Sequence, residues 1–254
     1  MDVVINKNLN IMSFKKLDDV INLFTFKPYN FRSTTVNEEE IKNNYKKLEN
    51  SVNYKFNYIL KPIQTHTNIV KCVDLNNIND EFNNVDGLIT NIKGCALVTS
   101  LADCQGILLY DRKNKVIGNI HSGWKGTLNR ICTNAINLMI SNYNSNPSDI
   151  EAYICPSIMK CCFEVDCDVK DSFVCNFKDI NIESCISLGE IKDNKQKYFI
   201  DTISINKQVM INLGLKMENI ISADICSKCN SDFIHSHRAD GINSGRNIAL
   251  ICLK

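Results

Sequence analysis

The sequence has few histidines, a nearly balanced charge and no long apolar segment, and each of these features excludes a class of protein. Four histidines in 254 residues are too few for the imidazole-rich metal clusters of a true multicopper oxidase. Twenty-nine basic residues against 28 acidic ones give a net charge of +1, which excludes a strongly basic surface for nucleic acid or for an anionic membrane. No apolar run approaches the ~20 residues that span a bilayer. We therefore expect no nucleic-acid partner and no membrane partner.

Cysteine is the abundant residue that needs an explanation. The N-terminal segment Met1–Asn10 has no basic stretch followed by apolar residues, so we expect no secretory signal and a reducing, cytoplasmic location. Thirteen cysteines cannot all pair internally, and we expect their thiols to be free, buried or bound to metal. With 4 prolines and 10 glycines spread thinly, no linker is visible. We expect residues 1–254 to form a single domain, as a monomer or a homodimer.

The hydrophobic pattern alternates between helices and short strands. Apolar side chains recur every three or four residues from Glu38 to Val52, and Asn37 precedes them as an N-cap, which predicts a helix. Two further helices are predicted over residues 127–142 and 204–213. Strands are predicted at Gly94–Leu101, Gly106–Tyr110, Val116–His121, Ile150–Ile154, Tyr198–Asp201 and Ile248–Leu253. Because residues 111–115 are too few for a helical crossover, the second and third of these strands form an antiparallel hairpin. The predicted fold class is α+β with mixed or antiparallel sheets.

This hairpin brings two reactive side chains together. If Tyr110 lies opposite Lys115, counting back along both strands places Cys104 opposite His121, with Cβ atoms about 5 Å apart. A thiol and an imidazole in this arrangement can share a metal ion or act as nucleophile and base. Asp103 precedes the thiol and is the candidate to orient an imidazole or to handle a proton.

His66 is a third candidate ligand, because it lies among small polar residues instead of in an apolar stripe. Two histidines and one cysteine, with a fourth position open to water, form a typical catalytic zinc site. The competing interpretation is a buried thiol beside a hydrogen-bonded histidine.

The residues after the hairpin are candidates for binding an anion. Ser122–Thr127 contains two glycines and Lys125, and it leads into the second predicted helix at Thr127. Arg238 and Arg246 near the C-terminus can bind phosphate or a carboxylate, although either arginine alone is as readily explained as a solvated surface residue.

The remaining cysteine motifs are interpreted as structural. Cys226–Cys229 is a lone CxxC without the second pair of a zinc ribbon, and no thioredoxin-like unit surrounds it. Cys161 and Cys162 are interpreted as packing residues.

Eight segments together resemble a known family. They are Gln64–His66, Leu101–Asp111, His121–Thr127, Pro156–Ile158, Cys162–Val165, Cys226–Cys229, Ser236–Arg238 and Gly245–Arg246. From about residue 60 to the C-terminus, the chain resembles the YfiH/laccase-domain proteins, whose members are labelled polyphenol oxidases or purine nucleoside phosphorylases. The resemblance implies a layered α-β-β-α sandwich and a metal site at His66, Cys104 and His121. It implies zinc as the cofactor, with copper as a possible substitute.

The first 60 residues depart from the family pattern. The family's Thr-Thr-Arg with a following Gly-Gly is replaced by Phe24–Lys27. Lys27 and Arg32 are the candidates to replace the arginine that the family uses near its substrate. The usual Tyr-Glu-Val reads Phe163-Glu-Val here, which removes a hydroxyl.

The resemblance implies phosphorolysis of purine nucleosides (adenosine, inosine or methylthioadenosine) with phosphate, to free base and ribose 1-phosphate or its derivative. It also implies adenosine deamination, for which zinc lowers the pKa of a water molecule. For deamination, Asp103 is the candidate to handle the proton. For phosphorolysis, Lys125, the helix start at Thr127, Arg238 and Arg246 are the candidates to bind the phosphate and the substrate. Three alternatives stay open: a copper-dependent polyphenol oxidase, a Cys104–His121 hydrolase or deamidase, and a zinc-binding module without catalysis.

Overall fold

The structure, a computed structural model, describes residues 3–14 and 19–254; Met1, Asp2 and residues 15–18 of the predicted domain lie outside the described residues. The strands are β1 (Val3–Asn6), β2 (Ile11–Phe14), β3 (Val20–Thr25), β4 (Tyr58–Leu60), β5 (Val70–Val73), β6 (Gly87–Thr90), β7 (Cys95–Leu101), β8 (Gln105–Asp111), β9 (Val116–Ser122), β10 (Ile150–Ile154), β11 (Glu164–Val165), β12 (Ile186–Lys192), β13 (Lys195–Ile200), β14 (Ile220–Ser222) and β15 (Asn247–Leu253). The helices are α1 (Glu38–Val52), α2 (Trp124–Leu128), α3 (Ile131–Tyr143), α4 (Cys167–Asn176), α5 (Ile182–Cys185), α6 (Thr202–Asn212) and α7 (His237–Asp240). Single 3₁₀ turns occur at Pro147–Asp149, Met217–Asn219 and Gly241–Asn243.

Twelve of the described strands form two six-stranded sheets. The strand order of the first sheet is β1-β2-β3-β15-β7-β4, and that of the second is β14-β10-β8-β9-β6-β5. Three pairs are parallel, namely β4 with β7, β10 with β14 and β5 with β6, whereas the other pairs in these two sheets are antiparallel. A small third sheet has the order β11-β13-β12. The mixed pairing confirms the predicted α+β class.

The two large sheets pack face to face, and helices cover their outer faces. Along β8, Ile107 and Leu109 join the core formed with α3, whereas Leu108 and Tyr110 join the core between the sheets. This alternation follows from the two-residue period of a strand. Residues of β15 divide in the same way between the inter-sheet core and the core beneath α1. The layer order is therefore α-β-β-α, as the resemblance implied, and burial on both faces explains why these strands are apolar throughout.

Helix α1 has the predicted bounds. The side chain of Asn37 accepts a hydrogen bond from the backbone N–H of Glu40 at 2.8 Å, and Asn53 ends the helix with a φ of 49°. Leu48 is fully buried beneath the first sheet, and burial of such a side chain contributes about 1.5–3 kcal/mol. Among the described residues, no helix is both long and apolar enough to cross a membrane.

The helix predicted over residues 127–142 is interrupted. Helix α2 begins at Trp124, and α3 begins only after Arg130, which has a φ of 60°. The Arg130 guanidinium binds the Asp179 carboxylate and lies 4.5 Å from the centre of the Phe177 ring. The prediction of one continuous helix starting at Thr127 is wrong because these contacts with a distant segment stabilise the break.

The hairpin of β8 and β9 has a different register from the predicted one. Tyr110 pairs with Ile117 and His121 pairs with Gly106, which is a shift of two residues. The side chain of Asp111 accepts hydrogen bonds from the backbone N–H groups of Lys113 and Asn114, at 2.9 and 3.0 Å. This side-chain turn extends β8 by one residue. Because the shift is an even number, Cys104 and His121 stay on one face and become diagonal neighbours instead of directly opposed ones.

Candidate active site

The candidate site lies where the ends of three neighbouring strands of the second sheet meet. Strands β6 and β8 begin there and β9 ends there, because β9 pairs antiparallel with both. Asp86 directly precedes β6, Cys104 directly precedes β8, and His121 is the penultimate residue of β9. His66 is in the loop that leads to β5, the neighbour of β6. The sheet therefore gathers four polar side chains from four segments.

His66, Cys104 and His121 form a compact group of possible metal ligands. Their donor atoms all lie within 4.8 Å of one another, and Cys104 Sγ is 3.8 Å from His66 Nε2. The two imidazole rings meet edge to face with their centres 4.8 Å apart. Around tetrahedral zinc, sulfur and nitrogen donors are roughly 3.5 Å apart, as bond lengths near 2.3 and 2.0 Å require. Small side-chain movements therefore suffice to ligate one ion.

Hydrogen bonds to Asp86 fix the position of this group. The fully buried carboxylate of Asp86 accepts a hydrogen bond from His121 Nδ1 at 2.7 Å and from the backbone N–H of His66 at 3.1 Å. It also accepts the backbone N–H and the hydroxyl of Thr67, both at 2.7 Å. These bonds stabilise the loop in which His66 has the uncommon φ of 63°. Because Nδ1 of His121 bonds to Asp86, Nε2 is the nitrogen that is left to bind a metal.

A glycine makes room for this arrangement. A Cβ at Gly123 would lie 2.8 Å from Cδ2 of His66 and 3.1 Å from Sγ of Cys104. Any larger residue at this position would push the two ligands aside. The donor set and the space therefore fit a single metal ion with two imidazole ligands and one thiolate ligand, and the exposed side chain of His66 leaves room for a further ligand.

The thiol and the buried imidazole influence each other's ionisation. Burial alone would raise the pKa of Cys104, but the nearby imidazoles of His121 and His66 lower it to about 6. Burial would lower the pKa of His121, but Cys104 and Asp86 raise it to about 9. In the metal-free protein the pair therefore favours thiolate and imidazolium.

A cavity of about 890 Å³ opens in front of this group, a size that suits a small-molecule ligand. Its apolar wall includes Trp124 and Phe163. Three cationic side chains line it as well: Lys61, Arg238 and Arg246. Within the described part of the chain, none of these three forms a salt bridge with a carboxylate.

A neighbouring arginine lowers the pKa of two of these cations. Desolvation and the neighbouring Arg246 lower the pKa of Lys61. Burial and the charge of Arg32 lower the pKa of Arg246. The Arg246 side chain donates to the carbonyl oxygens of Ser244 and Gly245 at 3.0 and 2.8 Å, which fixes its position. Like charges held together at a cavity wall favour the binding of an anion.

Asp103 lines the cavity but does not contact an imidazole through any described hydrogen bond. Its carboxylate accepts the hydroxyls of Ser227 and Ser236 and the backbone N–H of Arg238, each at 2.6 Å. The hypothesis that Asp103 orients an imidazole is wrong, because Asp86 does so. Asp103 instead holds two C-terminal segments at the cavity, and it has a φ of 85°.

Lys125 is exposed and does not line the cavity; its Nζ lies 5.6 Å from the centre of the Trp124 ring. Thr127 is buried, and its hydroxyl bonds to that of Ser122 at 2.9 Å. The two proposed replacements for the family's arginine also lie outside the cavity lining. Lys27 Nζ donates to the Ser231 carbonyl at 2.7 Å, and Arg32 binds backbone oxygens of residues 242 and 244.

Sequence reasoning missed Asp86, Lys61 and the cavity position of His237. Asp86 stands alone before a short strand, so neither spacing nor periodicity distinguishes it from an ordinary surface aspartate. Lys61 had a weak signal, since it is three residues before Gln64 in a segment that the resemblance covers.

The structure also corrects the interpretation of Cys161 and Cys162 as packing residues, because it brings them to the CxxC motif. Cys161 and Cys162 meet Cys226 and Cys229, and all four sulfur atoms lie within 4.8 Å of one another. Cys161 and Cys229 are exposed, so core packing does not explain them. The pair that the CxxC lacked in the sequence is the vicinal pair from a distant segment.

The fold and the ligand group together define a class of protein. The chain belongs to the family described as multi-copper polyphenol oxidoreductase laccase, whose model matches residues 24–254. This confirms the resemblance read from the motifs, and it extends the match into the N-terminal part that departs from the family pattern.

Curated relatives carry enzyme names. Purine nucleoside phosphorylase YlmD of Bacillus subtilis is 31% identical over 169 residues, which cover 66% of this chain and 59% of that protein. Purine nucleoside phosphorylase CA_C1699 of Clostridium acetobutylicum is 29% identical over 96% of both chains. Adenosine deaminase RL5, from an unknown prokaryotic organism, is 29% identical over 74% of this chain and 72% of its own length.

Solved structures share the whole architecture. The Bacillus licheniformis hypothetical protein YfiH superposes with a TM-score of 0.87 and 25% identity, over 96% of this chain and 97% of that one. YlmD of Geobacillus stearothermophilus gives a TM-score of 0.85 at 23% identity over 96% of both chains, which shows the shared fold.

Proposed function

We propose that this chain catalyses the phosphorolysis of purine nucleosides to a free base and ribose 1-phosphate, with adenosine, inosine and methylthioadenosine as candidate substrates. One observation carries the proposal: the His66–Cys104–His121 group lines the same cavity as Lys61 and Arg246, which form no salt bridge within the described residues. The relatives named as purine nucleoside phosphorylases support it.

Zinc is the proposed metal, held by His66, Cys104 and His121, because two imidazoles and one thiolate are the ligands of catalytic zinc sites. When bound, it would supply a Lewis acid beside the substrate cavity. Copper prefers similar ligands and is a possible substitute.

The chain's own residues account for substrate binding. In phosphorolysis a phosphate oxygen forms a bond to C1′ of the ribose, and the bond from C1′ to the base breaks with its electron pair leaving on the base. Lys61, Arg238 and Arg246 are the proposed residues that bind the phosphate dianion and orient it. Trp124 and Phe163 provide apolar surface for the purine ring. The attacking phosphate hydroxyl loses its proton and the leaving base gains one, and Asp103, which lines the cavity, is the proposed carrier of that proton.

Adenosine deamination is the second candidate activity. The relative named adenosine deaminase RL5 favours it, and the same ligand group serves it. The oxidase alternative has less support, because the ligand group of two histidines and a cysteine suits a single ion and only two further histidines exist in the chain.

The test incubates purified protein with adenosine, inosine or methylthioadenosine, with and without phosphate, and separates the products by chromatography. We expect phosphate-dependent release of free base that is lost in Cys104→Ala and in His121→Ala. Cys175→Ala, an exposed cysteine on α4, is the matched control and should keep full activity. Inosine formed from adenosine without phosphate would indicate deamination alone, and the absence of any product would refute both activities.

A further inference from the structure

Four cysteines converge at a place that the proposed reaction does not use. Cys161 and Cys162 are in the loop between β10 and β11, and Cys226 and Cys229 form the turn after β14. Cys229 Sγ is 3.4 Å from Cys162 Sγ and 3.7 Å from Cys161 Sγ. Four sulfur ligands around tetrahedral zinc lie roughly 3.8 Å apart, so these separations are close to those of an S₄ site.

The backbone fixes the two segments against each other. Ser157 and Cys226 form an isolated parallel bridge. The backbone N–H of Ser227 donates to the Ser157 carbonyl at 2.9 Å, and that of Ser157 donates to the Ile225 carbonyl at 3.2 Å. The thiols are thus brought together by a defined strand-like pairing.

A bound cation would stabilise all four thiols of this cluster as thiolates.

Packing and disulfide formation explain the cluster less well. Cys161 and Cys229 are exposed, which excludes a purely apolar role. A disulfide would use two of the sulfurs at about 2.05 Å and would leave the other two without a function. Lys160 directly precedes the vicinal pair in the sequence, and Lys228 lies inside the CxxC motif.

We propose that Cys161, Cys162, Cys226 and Cys229 bind one divalent zinc ion in a closed tetrahedral site, distinct from the candidate active site. On binding, four thiols form four zinc–sulfur bonds and release four protons to solvent, with no change of oxidation state. Because all four positions are filled by protein, the site has no open position for substrate and is structural.

This site would fasten the segments that shape the cavity. The hydroxyl of Ser227, inside the CxxC turn, donates to Asp103 at 2.6 Å. The guanidinium of Arg238 donates to the backbone carbonyl of Cys162 at 3.0 Å. Zinc bound between these two segments would therefore stabilise one wall of the substrate cavity.

The test measures zinc per chain in protein purified without chelator. The double variant Cys104→Ala/His121→Ala removes the first group and should retain one zinc. Adding Cys226→Ser to it should reduce the content to none, whereas adding Cys175→Ser, an exposed cysteine outside both groups, should not change it. Cobalt exchanged into the double variant should give the intense thiolate-to-metal absorption of an S₄ site.

Three results would overturn the proposal: a double variant without metal in which all four thiols are alkylated, a double variant whose mass shows a disulfide among them, or full zinc content after Cys226→Ser. If Cys226→Ser fails to fold, the exposed Cys161→Ser replaces it, and a weaker cobalt absorption is expected. Because the measurement uses a chain without the first ligand group, it is independent of the proposed phosphorylase activity.

Discussion

The carboxylate of Asp86 accepts a hydrogen bond from Nδ1 of His121 at 2.7 Å. This bond determines which nitrogen of the imidazole faces Cys104 and His66, and the same carboxylate holds the loop that carries His66. The candidate metal group therefore depends on a residue that is not itself a ligand.

Replacing Asp86 with asparagine should weaken metal binding without removing a ligand. The amide cannot offer the same anionic acceptor to His121, so we expect zinc affinity to fall about 10–100-fold. A competition titration against a zinc-binding dye measures it. Asp193→Asn, the same change in an exposed turn between β12 and β13, is the control, and equal affinities in the two variants would contradict the assigned role.

Asp86 should also make the metal-free fold sensitive to acid. Burial would raise the pKa of its carboxyl, but hydrogen bonds from His121 and Thr67 hold the pKa well below its ordinary value. A lowered folded-state pKa gives a stabilisation that is complete above about pH 4, the unfolded value, and is lost as pH falls towards the folded one. Urea unfolding of the wild type should show this loss between about pH 4 and pH 2. In Asp86→Asn, the free energy of unfolding should depend less on pH over this range.

A single methyl group at Gly123 should disable the site. Gly123→Ala introduces a Cβ that would lie 2.8 Å from His66 and 3.1 Å from Cys104, so we expect a loss of zinc affinity and of turnover of at least about 10-fold. Gly118→Ala, in the preceding strand β9, is the control, because its Cβ would make only ordinary contacts of 3.4 Å or more. Zinc content and circular dichroism together separate a local effect from unfolding.

Arg246 and Lys125 can be distinguished by phosphate kinetics. Arg246 lines the cavity and Lys125 does not. Removal of a charged hydrogen-bond partner costs about 1.5–3 kcal/mol, so Arg246→Met should raise the KM for phosphate roughly 10–100-fold. The KM for nucleoside should change much less. Lys125→Met should leave both close to wild type, and a large effect of Lys125→Met would restore it as a substrate-binding residue.

Metal should protect Cys104 from alkylation. The neighbouring imidazoles lower the pKa of this thiol to about 6 despite its burial, so the metal-free protein carries a nucleophilic thiolate at neutral pH. With iodoacetamide, peptide mass spectrometry should find Cys104 modified faster than the exposed Cys175 after chelation, and slowly after zinc is added. Nucleoside turnover that persists without metal and stops on alkylation would instead favour the hydrolase alternative.

Local sequence patterns were enough to predict the α+β fold class. The family motifs were enough to predict the order of the layers and the candidate ligand group of His66, Cys104 and His121. The capped helix α1 and the hairpin of β8 and β9 rest on nearby residues, so spacing alone predicted them. The register was missed by two residues because it depends on a side-chain turn at Asp111, and the break at Arg130 was missed because its partners come from another segment.

The parts of the site that escaped prediction are long-range. Asp86 lies 35 positions from His121, and the four cysteines come from segments about 67 positions apart. Contacts of this kind are set by the order of strands in the sheet, which a single sequence does not reveal.

The dispersed origin of the candidate ligands couples metal binding to folding of the whole domain. Cys104 is 38 positions from His66, and the sheet must be assembled before the two meet, so the unfolded chain has no preformed site. Metal then binds the native state alone, and a concentration 100 times the Kd adds about 2.7 kcal/mol to the free energy of unfolding. The melting temperature of this protein would therefore report metal occupancy, and a simple thermal scan against a panel of divalent cations can rank their affinities.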